Sequence, residues 1–266
     1  MATFQYLVVL LILTLASKST SRPIIQTTPD KLIESARPVP IRIRSVTGDD
    51  DSFCDSWRYS VETNDAGKWS VVPARCVEYV AEYVNGGRYL SDSEMVAGDA
   101  VAFAATVNVT GDGMEAWVFD IDETLLCNVP YYAANGFGSE AFNETSFDEW
   151  VYSAEAPALP ASLKLYNEVQ QLGFTIFLLT GRDESQRNIT MENLQHAGYS
   201  NWERLILRQE SDSGKLAIVY KSERRKVLED EGYTIHGSSG DQWSDLSGFA
   251  LAARSFKLPN PMYYIA

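Results

Sequence analysis

Histidine is nearly missing from this 266-residue chain, with two residues, His196 and His236, each isolated from other metal-binding side chains. Cysteine is almost as sparse: three residues, with no Cys-x-x-Cys or Cys/His spacing, which excludes a clustered zinc site. Positive charge is short as well. Twenty-two Lys and Arg against 36 Asp and Glu leave a net charge of −14, which disfavours nucleic-acid polymers and anionic membranes as partners. Any phosphate-bearing ligand therefore needs a placed Lys or Arg, or a metal ion. No internal repeat or low-complexity tract occurs.

Long apolar runs are missing too, apart from residues 6–16, Tyr-Leu-Val-Val-Leu-Leu-Ile-Leu-Thr-Leu-Ala. That stretch is too short to span a bilayer and suits the core of a signal peptide over residues 1–21, cleaved between Ala16 and Arg22. The expected route is secretory, to the extracellular space or the vacuole, with no membrane attachment after processing. Sequons at Asn108, Asn143 and Asn188 are then candidate glycosylation sites. Cys54 and Cys76 flank a short segment and are expected to pair, which leaves Cys127 free.

Residues 22–50, with prolines and scattered charge, read as an extended arm within an N-terminal region over 22–110. Two helices are expected there. Arg75–Val84 sets Val77, Val80, Ala81 and Val84 on one face, and Ser91–Val107 turns Met95, Val96, Val101, Ala102 and Ala105 to a core. From about residue 111 the pattern alternates strand and helix. Strands are expected at Ala116–Asp120, Phe174–Leu179, Leu205–Leu207 and Tyr233–His236, and helices at Leu159–Leu172, Glu184–Ala197 and Ser222–Asp230. Such alternation implies an α/β core with a parallel sheet, whose ligands bind at the carboxyl ends of strands. Residues 128–157 interrupt the rhythm. They are rich in aromatics (Tyr131, Tyr132, Phe137, Phe142, Phe147, Trp150) and read as a small cap shaping a pocket.

Four expected strand ends carry chemistry. The first ends in Asp120-Ile-Asp-Glu-Thr, and an extended backbone would project Asp120 and Asp122 to the same side. Phosphoryl transfer has a use for such a pair, one carboxylate as nucleophile and metal ligand, the other as proton donor and acceptor. The second ends at Thr180-Gly181-Arg, where a hydroxyl and backbone N–H groups can face an anion. Lys221 stands at the expected start of the Ser222–Asp230 helix, against the helix dipole, a placement better suited to phosphate than to the fold. Lys215, farther from that start, reads as a surface residue. The fourth end carries Asp241 and Asp245, and hard oxygen ligands without Cys or His suit Mg²⁺.

Together, Asp120-x-Asp122-x-Thr124, Thr180, Lys221 and Gly240-Asp241-x-x-x-Asp245 resemble the four motifs of the haloacid dehalogenase-like superfamily. The wording Phe-Asp-Ile-Asp-Glu-Thr-Leu-Leu, Leu-Leu-Thr-Gly-Arg, Tyr-Lys-Ser-Glu and Ser-Gly-Asp-Gln-Trp-Ser-Asp is similar to plant acid phosphatases and vegetative storage proteins, over roughly residues 40–260. The resemblance implies a Rossmann-like core over 111–266 with a small cap and a helical N-terminal extension. It also implies a small phosphate monoester as substrate and room for a homodimer. In those roles Asp120 would attack phosphorus, Asp122 would protonate the leaving oxygen and then activate water, and Thr180, Gly181 and Lys221 would hold the phosphoryl group. Mg²⁺ would lie among Asp120, the Asp122 carbonyl, Asp241 and Asp245, with Thr124 ordering the loop. A proton-holding Asp122 is expected from its charged neighbour. Storage relatives of low or no activity form the alternative. Two departures stand out: Cys127 replaces an expected serine, and His236-Gly-Ser-Ser replaces Ile-Gly-Asn-Ser.

Other phosphatase chemistries find no residues. No cysteine has an arginine six positions on, Arg-His-Gly is absent, and no Gly-x-Ser-x-Gly elbow occurs.

Overall fold

Aspartates open the first helix of the computed structural model, which describes residues 50–266. The expected signal peptide, and the arm over 22–50 apart from Asp50, lie outside the described residues. Helix α1, Asp50–Glu62, is not legible in the sequence because polar residues surround its few apolar ones. Tertiary partners hold it instead. Cys54 and Cys76 form a disulfide with a Cα–Cα distance of 5.4 Å, Trp57 meets Trp69 edge-on at 5.5 Å, and Arg58 stacks on Tyr83.

Helices α2, Val77–Asn85, and α3, Gly87–Ala104, follow close to the expected ranges, but the inward face of α3 is only partly the expected one: Val96 and Val101 are half-buried against the core. Its buried residues are Tyr89, Ser93, Ala97, Ala100 and Ala104, whereas Met95 is 68% exposed and Ala102 and Ala105 are also exposed. Small side chains at this spacing let the helix lie close against its neighbours, so close approach decided the part of the face that hydropathy misassigned.

The core strands are β1, Glu115–Phe119, β2, Thr175–Asp183, β3, Arg204–Arg208, β4, Thr234–Gly240, and β5, Arg254–Lys257. They pair in parallel in the order β3-β2-β1-β4-β5. Strand β1 is buried on both faces. Trp117 and Phe119 enter one cluster with α3, α6 (Pro160–Gln171) and α7 (Arg187–His196), and Ala116 and Val118 enter another with α8 (Ala217–Asp230). Trp117 stacks on Phe256 at 5.4 Å, and a Cβ on Gly237 would lie 2.4 Å from its indole. Glycine there is a packing requirement. The β1–β4 register slips so that His236 is the extra residue between Ile235 and Gly237, a bulge that places its ring edge-on to Phe174.

The segment over 128–157 forms two helices, α4, Val129–Ala134, and α5, Glu144–Ser153. Its aromatics pack on one another, Tyr131 on Tyr132 and Phe147, and on the end of the chain through Tyr132 and Tyr263. They share a cluster with the N-terminal helices through Val80, Tyr83 and Tyr89.

Helix α8 begins at Ala217, so Lys221 lies in its second turn and the dipole argument for its position does not hold. The apolar run Ala217–Tyr220 has no capping side chain before it. The Ala217 and Ile218 N–H groups donate instead to the Ala266 carbonyl oxygen, a long-range partner invisible to local pattern.

Candidate active site

The order β3-β2-β1-β4-β5 reverses the direction of strand succession between β1 and β4, where open α/β sheets form their crevice. Register brings the chemistry there. Phe119 pairs with Leu178 of β2 and Ser239 of β4, and the Asp120 N–H donates to Ser239 O at 3.0 Å. Asp120 and Asp241 thus directly follow β1 and β4, while Thr180, two residues past the Phe119 partner Leu178, lies inside β2, which runs on to Asp183.

Lys221 completes the cluster from α8. Its Nζ donates to Asp120 Oδ1 at 2.5 Å and, more tightly, to Asp245 Oδ1. Asp241 Oδ2 accepts from Gln242 and Asn260, each at 2.7 Å, and Asp245 Oδ2 accepts the Gln242 N–H at 2.9 Å. The Thr124 hydroxyl lies 3.3 Å from both Asp120 Oδ2 and Asp241 Oδ1. Glycine at 240 is required, because a Cβ there would lie 2.4 Å from the Asp245 side chain. Lys215, by contrast, is taken up by Asp212 and Glu223.

Three buried carboxylates around one ammonium leave an excess of negative charge. Burial, reinforced by the Asp245 charge and only partly offset by Lys221, pushes the Asp120 carboxyl well above the usual carboxylate range. Burial and the charges of Asp245 and Glu123 push Asp241 up to about 7. Lys221 stays protonated: burial works against its charge, and Asp120 and Asp245 outweigh that. One oxygen from each of Asp120, Asp241 and Asp245 can lie within 4.8 Å of the others. Hard oxygen donors, close spacing and uncompensated charge fit a divalent cation.

Asp122 faces elsewhere. Arg182 grips it with Nε on Oδ2 at 3.0 Å and Nη2 on Oδ1 at 2.7 Å, and Asn128 Nδ2 donates to Oδ1 at 2.9 Å. Burial would raise this carboxyl, but the Arg182 guanidinium and these hydrogen bonds hold it below its ordinary range. The expectation that its charged neighbour would help Asp122 hold a proton is therefore corrected: Arg182 outweighs that neighbour. The Asp122 charge adds instead to the upward push on Asp120.

Thr180 is buried, and its hydroxyl accepts the Arg182 N–H at 3.1 Å. Gly181 is exposed, and a Cβ there would meet nothing within 4 Å, so no tight turn requires it. Arg182, Asn128 and Glu123 are site residues that motif reading passed over. Arg182 and Glu123 are visible only as unassigned members of Thr-Gly-Arg and Asp-Ile-Asp-Glu-Thr, and Asn128 only as the first residue of the segment read as a cap. Cys127 is half-buried, and burial with the Glu123 charge pushes its thiol up to about 12, which removes it as a nucleophile. Asn108, Asn143 and Asn188 are exposed. Asn143 caps α5 by accepting the Ser146 N–H at 3.1 Å, while Thr190 of the third sequon is buried and accepts from Arg182.

The family model described as HAD superfamily, subfamily IIIB (Acid phosphatase) matches residues 41–266. Acid phosphatase 1 of Solanum lycopersicum is 51% identical over 216 residues, covering 81% of this chain and 85% of that protein. The Stem 28 kDa glycoprotein of Glycine max is 45% identical, with coverage of 80% and 84%. Vegetative storage protein 2 of Arabidopsis thaliana is 39% identical, with coverage of 80% in each. The class C acid phosphatase of Bacillus anthracis superposes with a TM-score of 0.59 at 22% identity, over 71% of this chain and 85% of that one, a likeness of fold.

Proposed function

The chain belongs to the acid phosphatases of HAD subfamily IIIB, and from that membership we propose that it hydrolyses small phosphate monoesters through an aspartyl-phosphate on Asp120. The contact that carries this reading is Lys221 Nζ on Asp120 Oδ1, because a phosphoryl group joined to Asp120 would lie against that ammonium. Asp120 attacks phosphorus as the ester P–O bond breaks, and Asp122 gives a proton to the departing oxygen. Water then attacks the same phosphorus, Asp122 takes its proton, and phosphate leaves with the Asp120 carboxylate restored.

Paired with Arg182, Asp122 begins as a carboxylate. Its protonation is helped by low pH and by the negative charge of a bound phosphate. Lys221 stabilises charge on the phosphoryl oxygens, and the Thr180 hydroxyl with the Gly181 N–H adds donors. Asp120, Asp241, Asp245 and the Asp122 carbonyl would hold Mg²⁺. When bound, that ion would lower the repulsion between an anionic nucleophile and an anionic phosphate.

The soybean stem glycoproteins and the vegetative storage proteins among the relatives support secretory or vacuolar delivery and glycosylation at the exposed Asn108, Asn143 and Asn188. They also support a second reading, a storage protein with weak or no turnover. The intact Asp120–Lys221–Asp245 contacts favour the enzyme. Release of phosphate from a chromogenic monoester, with and without chelator, tests the proposal. Chelator and Asp120→Asn should each abolish turnover in folded protein, and unchanged turnover in Asp120→Asn would sink the mechanism.

A further inference from the structure

Asn128 and Trp150, which the proposed chemistry does not use, connect the cap to Asp122. Trp150, on α5, donates its indole N–H to Asn128 Oδ1 at 2.8 Å. Asn128 is fully buried, and its Nδ2 donates to Asp122 Oδ1 at 2.9 Å and Glu123 Oε2 at 3.3 Å. Its backbone N–H donates to Glu123 Oε1 at 2.6 Å. An indole N–H can only donate and a carboxylate oxygen accepts, so both ends impose the same orientation on the amide.

The surrounding contacts keep Asn128 from drifting. Glu123 is fully buried, takes a left-handed backbone with φ 52°, and accepts the Tyr263 hydroxyl at 2.5 Å. Helix α5 also meets the 3-10 turn that follows β2, Glu184–Gln186, through Gln186 Nε2 on Asp148 Oδ1 at 2.7 Å. Asp122 is thus held from two sides, by Arg182 on the sheet and by Asn128 beneath the cap. The second hold includes an atom of α5.

We propose that Asn128 is a positioning residue for Asp122, and that Trp150 makes this positioning depend on the seating of α5. With α5 seated, the indole keeps the Asn128 amide turned and the Asp122 carboxyl aimed at the leaving oxygen. With α5 displaced, the amide loses the donor that fixes its Oδ1, and Asp122 is held by Arg182 alone. Protonation of the leaving group is thereby coupled to closure of the cap over it. The inference rests on the reading of Asp122 as proton donor.

Leaving-group dependence tests it. Expulsion of an alkoxide needs a proton, whereas p-nitrophenolate leaves with little help. Trp150→Phe keeps the ring and removes the N–H. Asn128→Ala removes the amide and serves if Trp150→Phe misfolds. Each should lower kcat for glycerol 2-phosphate about tenfold and kcat for p-nitrophenyl phosphate less than about twofold, within what a general acid contributes. Asp122→Asn is the reference and should show the same bias more strongly. Equal losses on both esters in Trp150→Phe and Asn128→Ala, with a biased Asp122→Asn, would overturn the coupling alone. An unbiased Asp122→Asn would overturn the proton-donor reading and the coupling with it.

Discussion

On the β4 side of the site three buried carboxylates cluster around a single ammonium that pairs with two of them, Asp120 and Asp245, while on the β2 side one carboxylate accepts from both a guanidinium and an amide. Asp120 and Asp122 are two residues apart, yet burial and like charges raise the proton affinity of the first while Arg182 lowers that of the second. The difference teaches that a shared motif does not imply a shared environment. Asp120 sits in a pocket awaiting positive charge, and Asp122 in one already balanced.

The most severe way to break the comparison is to remove the ammonium. Lys221→Met should lower kcat by about two to three orders of magnitude, the range seen when one charge-stabilising donor is lost. It should also destabilise the chelated protein by about 3 kcal/mol, because breaking a buried pair leaves charge uncompensated. Both follow from rate measurements and urea unfolding in chelator, and an unaltered kcat would remove Lys221 from the site.

Arg182→Lys acts on the other side. It keeps a charge but loses the two-pronged grip, so kcat should fall about tenfold, a loss within the range general acid–base catalysis contributes. With the guanidinium gone, the Asp122 carboxyl should hold its proton to higher pH, and the pH limb assigned to it should move upward. A pH–rate profile unmoved by the substitution would show that Arg182 does not tune Asp122.

The smallest effect sharpens the contrast through stability. In metal-free protein burial and neighbouring carboxylates push Asp241 up to about 7 and Glu123 up to about 8, both above their unfolded values. The folded state then binds more protons than the unfolded state between about pH 4 and 8, so stability falls as pH rises through that window. Chelated protein should melt higher at pH 5 than at pH 8. Mg²⁺ should restore stability at pH 8, by about 2.7 kcal/mol at a hundredfold excess over its Kd. A melting temperature flat with pH in chelator would show that the pocket carries no such strain.

Much of this was legible along the chain. Four of the five strands, the helices over 159–172 and 184–197, and the acidic strand ends follow from alternation and from carboxylates placed where an apolar run stops, whereas β5, Arg254–Lys257, carries no such pattern. The limits are instructive. The face of α3 is legible only in part: Val96 and Val101 pack on the core as expected, but Ala97, Ala100 and Ala104 are buried in place of Met95, Ala102 and Ala105. Helix α1 escaped because a disulfide and aromatic contacts stabilise it rather than its own pattern. The start of α8 was displaced because its N–H groups find Ala266.

Residue identity and order determine that carboxylates and a hydroxyl fall where the apolar runs of an alternating α/β chain stop, with a lysine on a later helix, because periodicity and the stopping of apolar runs are local properties. Which carboxylate keeps a proton is not local. It depends on Arg182 reaching Asp122 from β2, Lys221 reaching Asp120 from α8, and Trp150 fixing Asn128 from the cap. Those contacts join residues far apart in sequence, and electrostatic interaction falls with distance in space, which only the tertiary structure sets.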